Sequence, residues 1–221
     1  MKSIFISGTD TNVGKTSVSS LLLTALCQAG FNAGYFKPVQ TGGDLDTLTV
    51  SQLTRIPLVD FPQPVYQFSE PLSPHRAAVI HHQAIEVDEI LKIWEQKRND
   101  RFWIVEGAGG LLVPLNQKQT ISDLVVAMNL SLILVISTRL GTLNHTLLTL
   151  EAAKSRGLLV VGLVLVGSGD LELESVLSEL TDVPVLTRIP WFDRISDQWV
   201  QEQASSYFSA LILKQLFGKS V

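Results

Sequence analysis

"GTDTNVGKTS", residues 8–17, follows directly on the apolar run "SIFIS" (3–7) and has the form G-x-x-x-x-G-K-[ST]. A strand, a glycine-containing turn and the opening of a helix, in that order, make a phosphate cradle. Backbone N–H groups of Asn12, Val13, Gly14, Lys15, Thr16 and Ser17 converge on phosphate oxygens, and the helix dipole adds positive potential. Lys15 is placed to reach the β- and γ-phosphates of a nucleotide, and the Thr16 hydroxyl to bind Mg²⁺. The motif points to a nucleotide such as ATP and leaves the reaction open.

A strand that feeds such a turn belongs to a parallel sheet, and the rest of the chain supplies one. The runs "KSIFIS" (2–7), "NAGYFKPV" (32–39), "RFWIVEGA" (101–108), "SLILVIS" (131–137) and "LLVVGLVLVG" (158–167) read as strands, with a shorter one at "VPVLTRIP" (183–190). Most lack polar alternation, the mark of strands covered on both faces. Helical patterns lie between them, at 15–29, 46–54, 83–98, 121–128, 143–156, 171–181 and 199–217. This alternation predicts an α/β fold: one doubly wound, mostly parallel, P-loop NTPase-like domain over 1–221 with helices on both faces. The region 55–82, with Pro57, Pro62, Pro64, Pro71 and Pro74, reads as a structured loop.

Composition agrees with that frame and narrows the partners. Of 221 residues 46% are apolar and 17% charged, which suits a buried parallel sheet. The net charge of −4 and the lack of a basic cluster argue against nucleic acid. "GLLVVGLVLVG" (157–167) is too short and too Gly-punctuated to span a bilayer. A cleaved leader would remove half of the phosphate motif. The single cysteine, Cys27, excludes an intrachain disulfide and a Cys-based zinc site, and fits a reducing cytoplasm. His75, His81, His82 and His145 form no recognisable metal pattern.

Mg²⁺ needs carboxylates as well as a hydroxyl. Glu106 ends the apolar strand "FWIV" and precedes "GAGG", at the strand end where ligands gather in this architecture. Asp44 and Asp46 in "TGGDLDTLT" are a second source, although Asp46 is equally suited to cap the helix that follows. Lys37, which ends "AGYFK", brings a second ammonium to the same sheet edge if strands 1 and 2 lie near each other. One lysine suffices to cradle phosphates. A second implies that another anion is handled there.

The segments "GTDTNVGKT" (8–16), "YFKPVQTG" (35–42), "EPLSPH" (70–75), "VEGAGGLLVPL" (105–115), "LGTLNH" (140–145) and "IPW" (189–191) resemble, in order, the landmarks of the dethiobiotin synthetase family. That family makes the ureido ring of biotin's precursor from 7,8-diaminononanoate, CO₂ and ATP. A carbamate on one amine is phosphorylated to a carbamic–phosphoric anhydride, and the second amine closes the ring. The resemblance implies that Lys37 is the catalytic lysine, acting with Lys15 and Mg²⁺. It also implies that Thr11 lies near the carbamate, that Thr41 contacts the substrate, and that Thr16, Asp46 and Glu106 hold the metal. Glu106, Gly107, Ala108 and Gly109 would line the nucleotide. Leu143 and Asn144 would belong to a carboxylate-binding helix N-terminus facing a second subunit, so a homodimer is implied. Ile189, Pro190 and Trp191 would contact the base.

Two positions depart from the family pattern. Asn12 stands where some members carry Glu, and Val166 and Gly167 stand where members often place an Asn-Asp pair that reads adenine. Base selectivity is therefore expected to be loose. Two other classes share these features. A membrane-partitioning ATPase would use "YFSALILKQLFGK" (207–219) as a surface helix, but such ATPases carry an extra early lysine in the loop that is missing here. A small-molecule kinase would bring an Arg-rich lid, and the Pro-rich region holds only Arg55 and Arg76. No N-K-x-D motif supports a guanine switch.

Overall fold

The computed structural model describes residues 3–43, 45–99 and 101–218. The chain runs β1 (Ser3–Gly8), α1 (Lys15–Gln28), β2 (Ala33–Phe36), β3 (Val39–Thr41), α2 (Asp46–Thr54), β4 (Tyr66–Phe68), α3 (Pro74–Ile80) and α4 (Val87–Lys97). It continues through β5 (Phe102–Gly110), α5 (Ile121–Met128), β6 (Ser131–Ser137), α6 (Thr142–Ser155) and β7 (Val160–Val166). The last elements are α7 (Leu173–Leu180), β8 (Val185–Ile189), α8 (Asp197–Tyr207) and α9 (Ala210–Phe217). Six of the strands form one parallel sheet in the order β2-β5-β1-β6-β7-β8.

Alternation along each strand divides the core into two layers. Ile4, Ile6, Tyr35, Ile104, Ile133 and Val135 pack with α1, α2, α8 and α9 on one face. Phe5, Phe36, Trp103, Val105 and Leu132 pack with α3, α4 and α5 on the other. Beyond them, Leu134, Ile136, Leu163 and Leu165 meet α7 and Leu143 and Leu150 of α6. The expected doubly wound sheet is present, covered by helices on both sides.

One local expectation is refined and two are corrected. First, β1 and β2 lie near each other as expected, but with β5 between them. At the usual strand spacing this puts their axes about 10 Å apart. Second, the Pro-rich region is not only loop. It contains β4, which forms a short parallel ladder with β3 outside the region, a single 3₁₀ turn at Leu58–Asp60, and helix α3 opened by Pro74 at its first turn. Tyr66 and Phe68 point inward while Gln67 is exposed, an alternation too short to stand out in the sequence. Third, the single C-terminal helix expected over 199–217 is two. Phe208, 1% exposed, is anchored in the core, and the Ser209 hydroxyl accepts a hydrogen bond from the Ile212 amide to open α9.

The apolar side of α9 covers the sheet. Leu213, Leu216 and Phe217 are buried, and the Phe217 ring meets Phe102 edge-on with centroids 4.4 Å apart. Among the described residues no helix is long and apolar enough to cross a membrane.

Candidate active site

The turn between β1 and α1 lies at the C-terminal edge of the sheet. Its shape depends on two left-handed residues, Asn12 (φ 57°) and Gly14 (φ 98°). A Cβ on Gly14 would also approach Val166 Cγ1 to 3.0 Å, so glycine is needed both for its torsion and for the close packing of the turn on β7. Helix α1 begins with neither a side-chain cap nor an acidic residue in its first turn, which leaves its dipole to an external anion. Lys15 is 7% exposed and arches back over the turn to donate to the Asp10 carbonyl at 2.8 Å. Burial, and then repulsion from Lys37, lower its pKa to about 8.

Register places the second ammonium. Phe36 of β2 pairs with Val105 of β5, so Lys37 follows level with Glu106, and Ile6 of β1 pairs with Glu106 from the other side. Glu106 therefore stands between the strand that carries the phosphate turn and the strand that carries Lys37. The Lys37 ammonium, on a residue 3% exposed, lies 2.7 Å from Asp46 Oδ2 and 2.9 Å from Glu106 Oε1, and donates to the Gly107 carbonyl at 2.9 Å. Burial by itself would lower its pKa, but attraction to Glu106 and Asp46 outweighs burial and raises it.

Thr16 joins the same group. Its hydroxyl is 3.2 Å from Asp46 Oδ1 and 3.1 Å from Glu106 Oε1. The cap reading of Asp46 is corrected. Leu45, not Asp46, is the N-cap of α2, and the Asp46 carboxylate turns to Lys37 and Thr16. Asp44 lies outside the described residues. The donors of Thr16, Asp46 and Glu106 are hard oxygens, two of them anionic, with no soft ligand among them. That chemistry suits Mg²⁺ and not a thiolate- or imidazole-seeking ion.

Two residues of this group carried no recognisable signal in the sequence. Ser19, fully buried, donates to Glu106 Oε2 at 2.7 Å. It lies three residues after Thr16, on the same face of α1, and that helical spacing is the one clue the sequence held. Gln40 accepts from the Asp46 amide at 3.2 Å and donates to the Thr41 carbonyl at 3.0 Å, tying α2 to the end of β3. Both orient groups that touch the site. Ser19→Ala is expected to weaken Mg²⁺ binding about tenfold with the fold intact, measured by calorimetric titration of the nucleotide complex.

Other residues singled out in the sequence fall around this centre. Gly107 and Ala108 continue β5 beneath it, and Gly109 follows with Thr11 Oγ1 close by. Thr11 is exposed at the rim of a cavity of about 370 Å³ that also includes Asp10, Gly110, Val113 and Leu148. Thr41 ends β3, half-buried, on the Lys37 side. Val166 is buried under Gly14, and Gly167 (φ 131°) sits where a Cβ would collide with Thr138 Oγ1. No side-chain amide is offered at either position. Ile189 is in the core and its carbonyl accepts from the Gly167 amide, whereas Trp191 is exposed beneath the Arg139 guanidinium at 5.5 Å. Leu143 packs on the α7 side of the sheet and Asn144 is exposed on α6. No hydrogen bond or ion pair joins either to Thr41 or Lys37 among the described residues. His81 faces Glu70 at 2.6 Å on the surface, away from the oxygen set.

A family model described as an AAA domain matches residues 2–198. The ATP-dependent dethiobiotin synthetase of Bacillus velezensis is 33% identical over 219 residues, covering 94% of this chain and 94% of that protein. That of Methanocaldococcus jannaschii is 40% identical over 168 residues, covering 73% and 78%. The biotin biosynthesis bifunctional protein of Bordetella avium is 36% identical over 202 residues, covering 90% of this chain and 42% of that protein. Among solved structures, the MinC:MinD cell division protein complex of Aquifex aeolicus superposes with a TM-score of 0.62 at 11% identity, covering 100% of this chain and 98% of that one. Cobyrinic acid a,c-diamide synthase of Mycobacterium smegmatis, with bound ADP and magnesium, superposes with a TM-score of 0.58 at 15% identity, covering 100% and 98%. At such identities the structural matches show a shared fold and nothing more.

Proposed function

The chain belongs to the dethiobiotin synthetase family, and we infer that it closes the ureido ring of dethiobiotin from 7,8-diaminononanoate, CO₂ and ATP, as an ATP-dependent ligase of biotin biosynthesis. The observation that carries the reading is the second buried ammonium. Lys37 reaches the edge of the phosphate turn through the carboxylates it shares with Thr16. A nucleotide switch or a kinase acting on a neutral hydroxyl has no second anion to receive. Here one must be brought up to another, which is electrostatically prohibitive without fixed cations between them.

In the reaction, one neutral amine of the substrate adds CO₂ and releases a proton to solvent, forming a carbamate. A carbamate oxygen attacks the γ-phosphorus, the bond to the bridging oxygen breaks, and ADP departs. The second amine then attacks the carbamoyl carbon, loses a proton and expels phosphate. Lys15 holds the phosphate chain over the α1 N-terminus, and Lys37 faces the carbamate. Before the ion is loaded, Glu106 and Asp46 hold Lys37 charged. Thr16, Asp46 and Glu106 would hold Mg²⁺, which when bound would supply positive charge to the phosphate oxygens. By the family resemblance Thr11 would lie near the carbamate and Thr41 would contact the substrate.

Phosphate release that requires both the diamine and bicarbonate, with dethiobiotin as the product, is the decisive result. A stable phosphorylated diamine would overturn it in favour of a kinase. Nucleotide choice follows from β7 and β8. With no amide at Val166 or Gly167, a base is left with Trp191 and backbone contacts, and stacking tolerates every base. The ratio kcat/KM is expected to vary by only about tenfold across ATP, GTP, CTP and UTP, since strong discrimination depends on buried polar groups left unpaired by the wrong ligand.

A pH dependence follows from Lys15. Its pKa is lowered to about 8, and only the protonated form attracts phosphate. Nucleotide affinity without diamine is therefore expected to be level below about pH 7. It should weaken as pH rises through 8, approaching about tenfold per unit. Affinity constant to about pH 10 would refute this role.

The family resemblance assigns the diamine's distal carboxylate to the first turn of α6, with Leu143 and Asn144, in a second copy of the chain. The neighbouring Leu140 and Leu148, exposed in the single chain, support a homodimer. The lone Cys27 suits a cytoplasmic setting.

A further inference from the structure

An ammonium has three protons, and those of Lys37 have three acceptors: Asp46 Oδ2 at 2.7 Å, Glu106 Oε1 at 2.9 Å and the Gly107 carbonyl at 2.9 Å. In this arrangement Lys37 has none left for a carbamate or a phosphoryl oxygen. Its two anionic partners are also the two carboxylates of the hard-oxygen set. Thr16 Oγ1 approaches the same Glu106 oxygen, Oε1, and the other oxygen of the same Asp46 carboxylate. One small space between two carboxylates thus suits two different cations.

We propose that Lys37 and the divalent cation compete for Asp46 and Glu106, so that loading the ion expels the ammonium and turns it toward the anionic co-substrates. This rests on the assignment of Thr16, Asp46 and Glu106 as the metal ligands. With Lys37 in place the two carboxylates are already half neutralised. A divalent ion added beside it would face a like charge a few Å away in a nearly dry site, with Lys15 adding further repulsion. Displacing the ammonium removes that conflict, and the flexible four-carbon stem allows it without moving β2. The lysine therefore becomes available to the carbamate only once the ion is in place.

Binding of Mn²⁺ to nucleotide-free protein, followed by electron paramagnetic resonance, tests this directly. Lys37→Met keeps the length of the side chain and removes the competing charge. It is expected to bind Mn²⁺ at least about tenfold more tightly than the natural protein, one unit of the pKa-sized coupling between adjacent charges. Glu106→Gln should weaken binding in both backgrounds. Equal or weaker Mn²⁺ binding by Lys37→Met would overturn the competition alone. No Mn²⁺ bound by either protein would overturn the ligand assignment with it.

A second measurement needs no variant. Brief acetylation of the unaltered protein, read by mass spectrometry against exposed Lys154, should label Lys37 several-fold faster with Mg²⁺ than without. Unchanged labelling would equally overturn the competition.

Discussion

Lys37→Ala is expected to lower kcat by about a thousandfold while nucleotide affinity stays within about tenfold of the unaltered protein. The two effects separate because Lys15 and the α1 N-terminus hold the phosphates, whereas Lys37 stands one strand further out, beyond Glu106. Its charge is needed where the carbamate approaches, not where the nucleotide rests. Steady-state assay of dethiobiotin formation and calorimetric titration with a non-hydrolysable nucleotide measure the two sides. A fall in nucleotide affinity as severe as that of Lys15→Ala would contradict the assignment. The same variant leaves Asp46 and the 1%-exposed Glu106 without their counter-ion. Removing one partner from a buried pair costs about 3–5 kcal/mol, so denaturant unfolding without metal should show a loss of that order. Mg²⁺ should restore much of it by supplying the missing charge.

Glu106→Gln is the second large effect. The Glu106 carboxylate accepts from Thr16, Ser19 and Lys37 at 3.1, 2.7 and 2.9 Å. A glutamine keeps one acceptor oxygen and turns an NH₂ group toward donors, so at least one buried hydroxyl or ammonium faces another donor. The charge that keeps Lys37 protonated and contributes to the metal site is lost at once. Mg²⁺ affinity is expected to fall about a hundredfold and kcat about a thousandfold. Activity within about tenfold of the unaltered enzyme, with Mg²⁺ affinity unchanged, would remove Glu106 from the site.

Much of the site was legible because its elements are local. The phosphate turn is one contiguous segment whose glycines, lysine and threonine have roles set by short-range geometry. Lys37 directly follows β2, at a strand end where an α/β sheet gathers ligands, whereas Glu106, expected to end its strand, lies inside β5, which runs on through the glycines to Gly110. Ser19 was not legible, since a serine inside an apolar helix reads as a small core residue until its partner is known. The ladder of β3 and β4 was hidden because three residues are too few for a period. The split between α8 and α9 was hidden because Phe208 and Ser209 also fit a continuous amphipathic pattern.

What the sequence determined unaided is therefore the chemistry within reach of a few residues: a phosphate cradle, buried parallel strands, acids and a second lysine at strand ends. Only the tertiary structure decided that β5 separates β1, which leads to Lys15, from β2, which leads to Lys37, and that Lys37 meets a carboxylate 69 positions away along the chain. The reason is physical. Strand order and register are settled by the packing of the whole sheet, and no local period records which strand will lie between two others. The same distinction holds at Gly167: the missing amide is visible as a letter, but the collision with Thr138 that bars any side chain there exists only once β6 and β7 lie side by side.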